Sequence, residues 1–281
     1  AVLAEALMAS LPEVALLGAV PRDSAFALPE RHLGLVPAIE RPELPALIER
    51  AADAVERAVD LDALVRLARP ARIAPTGSNR EISLPPLGCR IAVARDDAFQ
   101  FAYPSVLASW RASGAEIVFF SPLADQAPHA ECDAVFLRGG YPELQPGRLA
   151  AAAMFKAGLR RAAARGAAVY GECGGYMVLG RGLIGADGTR FEMAGLLALE
   201  SSFAQSRLHL GYRRARLLGS GALGPGGVEF RGHEFHYASV LDEGPGAPLF
   251  EIADAGGRAL GTTGRRAGLV AGSFVHLVDR A

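Results

Sequence analysis

The segment that most constrains this chain is Val169-Tyr170-Gly171-Glu172-Cys173-Gly174-Gly175-Tyr176. An apolar run too short to be a helix enters a glycine-flanked cysteine, and a helical pattern begins at about Gly175. Such a strand–turn–helix elbow belongs to a parallel α/β sheet, where a strand's carboxyl end opens into a helix. Glycines beside the reactive residue allow the tight turn and let a substrate approach. On this reading Cys173 is a nucleophile. The helix N-terminus favours its thiolate, and the Gly174 N–H offers one donor to an oxyanion. The alternative is a buried structural cysteine beside packing glycines.

The surrounding pattern agrees with a parallel sheet. Apolar strand-like runs at 90–95, 116–120, 134–137 and 167–170 alternate with helical segments. One helix carries Phe99, Tyr103, Val106, Leu107 and Trp110 on a single face, with Pro104 opening or kinking it. Another, alanine-rich, spans 146–164 and ends by Gly166. This alternation predicts a doubly wound, mostly parallel sheet over residues 89–281. After Gly185 the expectation changes to short β segments at 196–201, 208–218, 229–230, 233–240 and 269–274. Residues 1–69 read as the tail of another α/β domain. It has helices at 1–10 and 61–68, a strand at 14–20, and a helix with apolar positions Leu44, Leu47, Ile48, Ala51, Ala52, Val55 and Val59. Residues 70–88, rich in Pro and Gly, form the linker.

Composition narrows the function. The net charge of −1 over 281 residues leaves no footprint for nucleic acid. No apolar run approaches the roughly 20 residues of a membrane span, and no signal peptide is visible. Three scattered cysteines without CxxC spacing argue against a disulfide framework or zinc site, so a reducing cytoplasm is expected. Of 29 basic residues only Lys156 is a lysine, and it lies in Met-Phe-Lys-Ala-Gly. A Walker A loop needs Gly-Lys-Ser/Thr, so these residues carry no P-loop. The start at Ala1 inside a helical pattern leads to the expectation of a missing upstream part.

A second glycine loop, Leu137-Arg138-Gly139-Gly140-Tyr141-Pro142-Glu143, follows the 134–137 strand. It belongs at the same sheet edge as Cys173, where α/β domains bind ligands. The amides around Gly139 and Gly140 could supply a second oxyanion donor; the alternative is an ordinary βα turn. A cysteine nucleophile needs a base. His276, at the end of an apolar strand, is the candidate. Alternation puts His236 and Glu234 on one strand face and His233 and Phe235 on the other, so Glu234 is a candidate to orient a histidine. No third ligand accompanies His233 and His236, so no metal is assigned. His32, His129 and His209 have no comparable setting. Substrate-binding candidates are Gly139, Tyr141, Tyr176, His233 and His236.

With Gly-Glu-Cys-Gly-Gly-Tyr, Leu-Arg-Gly-Gly-Tyr-Pro-Glu and a late Ser-Phe-Val-His-Leu, the chain resembles class I, triad-type glutamine amidotransferases with a flavodoxin-like fold. The subgroup it resembles is the cobyrinic acid and hydrogenobyrinic acid a,c-diamide synthase family, through residues 91–99, 119–125, 231–237 and 28–36 as well. The resemblance implies two parts. A dethiobiotin-synthetase-like P-loop domain binds ATP, Mg²⁺ and the corrinoid, and a second domain hydrolyses glutamine to ammonia. This chain would hold the end of the first, with Arg31, His32, Leu33 and Gly34 near the nucleotide or corrinoid, and all of the second. Cys173 matches the nucleophile and His276 its acid/base. Many relatives in the wider class complete a triad with His-x-Glu, whereas this chain has Val278 there, which implies a Cys–His dyad. Implied partners are glutamine, a corrinoid carboxylate and the remaining synthetase part, with a homodimer left open. Cobyric acid synthase, nickel-sirohydrochlorin a,c-diamide synthase, a stand-alone cysteine hydrolase and a non-catalytic binding module are the rival readings.

Overall fold

The computed structural model describes residues 2–28, 36, 38–70 and 84–281. The chain divides into two units, 1–77 and 78–281. The first contains α1 (Val2–Ser10), α2 (Leu44–Ala58) and α3 (Leu61–Leu67). Asp60 caps α3 by accepting the Ala63 N–H at 2.8 Å. The strand expected at 14–20 does not form. A strand needs a partner along its length, and this segment has a single bridge, Gly18 to Val59, beside one bond from the Asp60 N–H to the Leu17 carbonyl. No described residue of this unit is buried. Arg31, His32, Leu33 and Gly34, and linker residues 71–83, lie outside the described residues.

The second unit begins with β1 (Arg90–Ala94), α4 (Pro104–Ala112), β2 (Glu116–Phe120), β3 (Ala134–Leu137), α5 (Pro146–Ala151), α6 (Ala153–Ala164), β4 (Ala168–Glu172) and α7 (Gly174–Leu179). Pro104 opens α4 rather than kinking it, because its missing N–H is one the first turn leaves unpaired anyway. Phe99 and Tyr103 therefore precede the helix instead of lying on it. The single helix expected at 146–164 is two, broken at Ala152 (φ −70°, ψ 80°). The break is satisfied from both sides. The Asp125 carboxylate accepts the Phe155 N–H at 2.8 Å, and the lone lysine, Lys156, donates through Nζ to the Ala150 carbonyl at 2.6 Å.

The remainder is β5 (Gly182–Ile184), β6 (Arg190–Glu192), β7 (Leu199–Ser202), β8 (His209–Leu217), β9 (Glu229–His236), β10 (Ser239–Glu243), β11 (Ala247–Asp254), β12 (Ala259–Ala267), β13 (Val270–Ser273) and β14 (Val275–Arg280). The pieces expected at 229–230 and 233–240 are β9 and β10, interrupted at Tyr237 and Ala238. His276 is the second residue of β14, a strand separate from β13.

The main sheet has ten strands in the order β14-β9-β8-β11-β12-β13-β4-β3-β1-β2. From β2 to β13 the pairings are parallel; from β13 to β14 they are antiparallel. Alternate β1 side chains enter opposite cores. Ala92 and Ala94 pack with Leu149, Phe155 and Leu159 of α5 and α6, whereas Ile91 and Val93 pack with Val106, Leu107 and Trp110 of α4. The sheet is thus covered on both faces, the doubly wound arrangement. A smaller sheet runs β10-β7-β5-β6.

One residue, Phe274, joins β13 to β14, yet β12, β11, β8 and β9 lie between them in the sheet. A residue spans at most about 3.6 Å, so these six strands must curl until β14 returns beside β13. The Leu277 N–H, donating to Glu172 Oε1 at 3.2 Å, ties the returning strand to the end of β4.

Candidate active site

Cys173 terminates the fully buried β4 and caps α7 with φ 48° and ψ −107°. Only Asp125 shares a positive φ among the described non-glycine residues. This backbone costs on the order of 1–3 kcal/mol and must be held by its surroundings. The Cys173 N–H donates to the Ser273 carbonyl at 2.8 Å, and its carbonyl accepts from Met177 at 3.1 Å. A Cβ at Gly175 would strike the Leu137 carbonyl, so glycine is what lets α7 start this close to β3.

The Gly139–Gly140 loop lies beside this elbow. A Cβ at Gly174 would stand 3.1 Å from the Gly140 nitrogen, so the two expected oxyanion donors are neighbours. On its other side the loop meets His276, whose Cε1 would collide with a Cβ at Gly139. Arg138 anchors it from below, donating to Ala94 O at 2.8 Å and Phe99 O at 2.6 Å. Burial lowers this guanidinium's pKa to about 10.

His276 is 5% exposed. Burial, with His233 and His236 nearby, pushes its pKa down to about 3, so it is a neutral base at physiological pH. Its Nδ1 stands 3.8 Å from Glu172 Oε2. Burial raises Glu172 to about 8, so at neutral pH this is an uncharged pair. The pull of the helix N-terminus toward the thiolate does not prevail here. Burial, reinforced by Glu143, pushes the Cys173 thiol up to about 12, outweighing the Gly174 N–H. A short, wholly buried helix cannot offset the loss of water around a thiolate.

The other candidates separate. His233 pairs with His276 in register across β9 and β14 and stacks on its ring at 4.9 Å; its Nε2 hydrogen-bonds the Tyr103 hydroxyl. His236 lies between His209 and Phe274, at 4.6 and 3.9 Å, and its Nδ1–H donates to Ala238 O at 3.0 Å. His209 thus has a setting after all, opposite His236 in the β8–β9 register. Glu234 does not orient a histidine: its carboxylate is taken by Arg213 Nε at 2.6 Å. Tyr176 is fully buried, with its hydroxyl on Glu243 Oε1 at 3.3 Å and its ring edge on Phe274. Tyr141 packs edge-on against Phe101. Glu172, Tyr103, Arg138 and Glu143 are the neighbours sequence reasoning left unassigned. Glu172 adjoins the nucleophile in sequence, and that adjacency was the available signal. Among the described residues no group of three or more His, Cys, Asp or Glu is placed to hold a metal ion, and no helix is long and apolar enough to cross a membrane.

A doubly wound α/β sheet with a cysteine at a strand–helix elbow defines a class, the α/β proteins that present a nucleophile at the carboxyl end of a strand. Residues 90–280 match the CobB/CobQ-like glutamine amidotransferase domain, and the chain belongs to this family. It is 54% identical over 265 residues to a hydrogenobyrinate a,c-diamide synthase of a Sinorhizobium species. It is 52% identical over 267 residues to a protein of that name from Brucella anthropi, and 53% identical over 267 residues to one from Brucella abortus. These matches cover 94%, 95% and 95% of this chain, which spans 60% of the length of each relative.

Proposed function

We propose that this chain is the glutaminase part of a hydrogenobyrinate a,c-diamide synthase, releasing ammonia from glutamine to amidate the a and c carboxylates of a corrinoid. The observation that carries this reading is Cys173 held at φ 48° beside a glycine loop that touches His276. Thiol and imidazole both rest neutral. As Cys173 Sγ attacks the side-chain carbonyl of glutamine, its proton passes to His276. The amides of Gly174 and Gly140 receive the oxyanion. His276 returns the proton to the departing nitrogen, ammonia leaves, and a glutamyl thioester remains. Water then attacks the thioester, giving one proton through His276 to the sulfur and releasing glutamate. Glu172 acts through His276 as a positioning residue, because the transient imidazolium forms 3.8 Å from its carboxyl.

The acceptor carboxylate is a poor electrophile, and its activation requires ATP with Mg²⁺. That chemistry belongs with the part of the relatives this chain does not span. Lys156, its single lysine, is held by a helix carbonyl rather than set in a phosphate loop. The free thiols Cys89, Cys132 and Cys173 fit a cytoplasmic site of action.

The test is glutamine hydrolysis by the purified chain. Cys173→Ala should lower it by on the order of 10³-fold or more. 6-Diazo-5-oxo-L-norleucine should add one adduct, on Cys173, by intact mass. Glutaminase activity surviving in Cys173→Ala would sink the assignment.

A further inference from the structure

Glu143 follows the Gly139–Gly140 loop in the 3-10 turn Pro142–Leu144. The residue as a whole is part-buried, but both carboxylate oxygens are shielded from solvent, and neither has a hydrogen-bond partner among the described residues. Burial raises its pKa to about 7. A shielded acceptor pair left unmatched is costly, and native structures keep one for a reason. The group also lies within electrostatic reach of the nucleophile. After burial, Glu143 is the largest cause holding the Cys173 thiol up. A negative charge beside a thiol that must become a nucleophile is counterproductive unless something positive arrives with the substrate.

Resting on the glutaminase reading, we propose that Glu143 binds the α-ammonium group of glutamine. The ammonium lies a short aliphatic chain from the amide carbon that Cys173 attacks, and Glu143 is a short loop from the amides that would hold the oxyanion. An ammonium supplies three donors to the unmatched oxygens. Its charge cancels the field that disfavours the thiolate, so the correct substrate activates the sulfur as it binds. Amides that lack an α-ammonium leave Glu143 unmatched and the thiol suppressed. The site therefore selects glutamine by charge at the end remote from the chemistry.

The test compares L-glutamine with glutaramate, the same amide without the amino group, using the whole chain. Wild-type protein should show a lower KM for L-glutamine. Glu143→Gln should raise that KM about 10- to 100-fold, the range for a lost charge-assisted hydrogen bond, with a smaller change in kcat. It should bring the two substrates' KM values together. If wild-type protein hydrolyses glutamine and Glu143→Gln keeps its KM and its preference, the anchor is overturned while the glutaminase reading stands. If wild-type protein neither hydrolyses glutamine nor is labelled at Cys173 by the diazo analogue, both are overturned. Should Glu143→Gln fail to fold, Glu143→Asp carries the test. A rise in KM confined to L-glutamine supports the anchor, and an equal rise for both substrates overturns it.

Discussion

At the scale of single residues, the candidate centre is set by burial. Glu172, His276 and Cys173 are all buried and all uncharged at neutral pH. This has a measurable cost at Glu172. Its pKa is raised from 4.5 to about 8 in the folded protein, so folding is unpenalised below pH 4.5, and stability is lost as pH rises through 8. Glu172→Gln should therefore match wild type in urea melts at pH 4.5. Its relative stability should then increase toward pH 8, by at most about 1.4 kcal/mol per pH unit. A constant difference across that range would contradict the buried neutral acid. The turn that carries Cys173 was legible in the sequence from its flanking glycines, and the strand position of His276 from the late apolar run. The partner of His276 was not. Alternation correctly put Glu234 on a strand face with His236, but period-2 reasoning carries no information about Arg213 on the neighbouring strand, which takes that carboxylate.

At the scale of elements, the parallel half was readable because β1, β3 and β4 are short, mostly apolar runs, each with a glycine two residues beyond one end. The antiparallel half was less so. β12, Ala-Leu-Gly-Thr-Thr-Gly-Arg-Arg-Ala, is largely exposed and glycine-interrupted, so its pairing comes from its neighbours and not from its own pattern. The expected strand at 14–20 fails for the converse reason, an apolar run with no ladder to join. The break between α5 and α6 was hidden as well. Ala151-Ala152-Ala153 has high helix propensity, and what divides it is Asp125, far away in sequence, capturing the Phe155 N–H. Asp125→Ala should remove that cap and put alanine at φ 55°. A loss of about 1–2 kcal/mol in urea unfolding is expected, and an unchanged midpoint would show that the break needs no cap.

At the scale of the molecule, the two units differ in kind. Residues 84–281 contain both hydrophobic cores, whereas no described residue of the first unit is buried. Regions with few buried contacts open cheaply. Limited trypsin digestion should therefore degrade the first unit and leave a resistant fragment that holds both cores. That fragment should retain glutamine hydrolysis. Uniform degradation, or activity lost with the first cuts, would contradict it. Within the second unit, the single residue Phe274 closes six strands and, by closing them, brings the histidine beside the glycine loop. Cys173 and His276 belong to opposite sides of that seam. On the proposed glutaminase reading, a chain whose seam is still open would carry every residue of the centre and hydrolyse nothing, so ammonia release would double as a readout of completed folding.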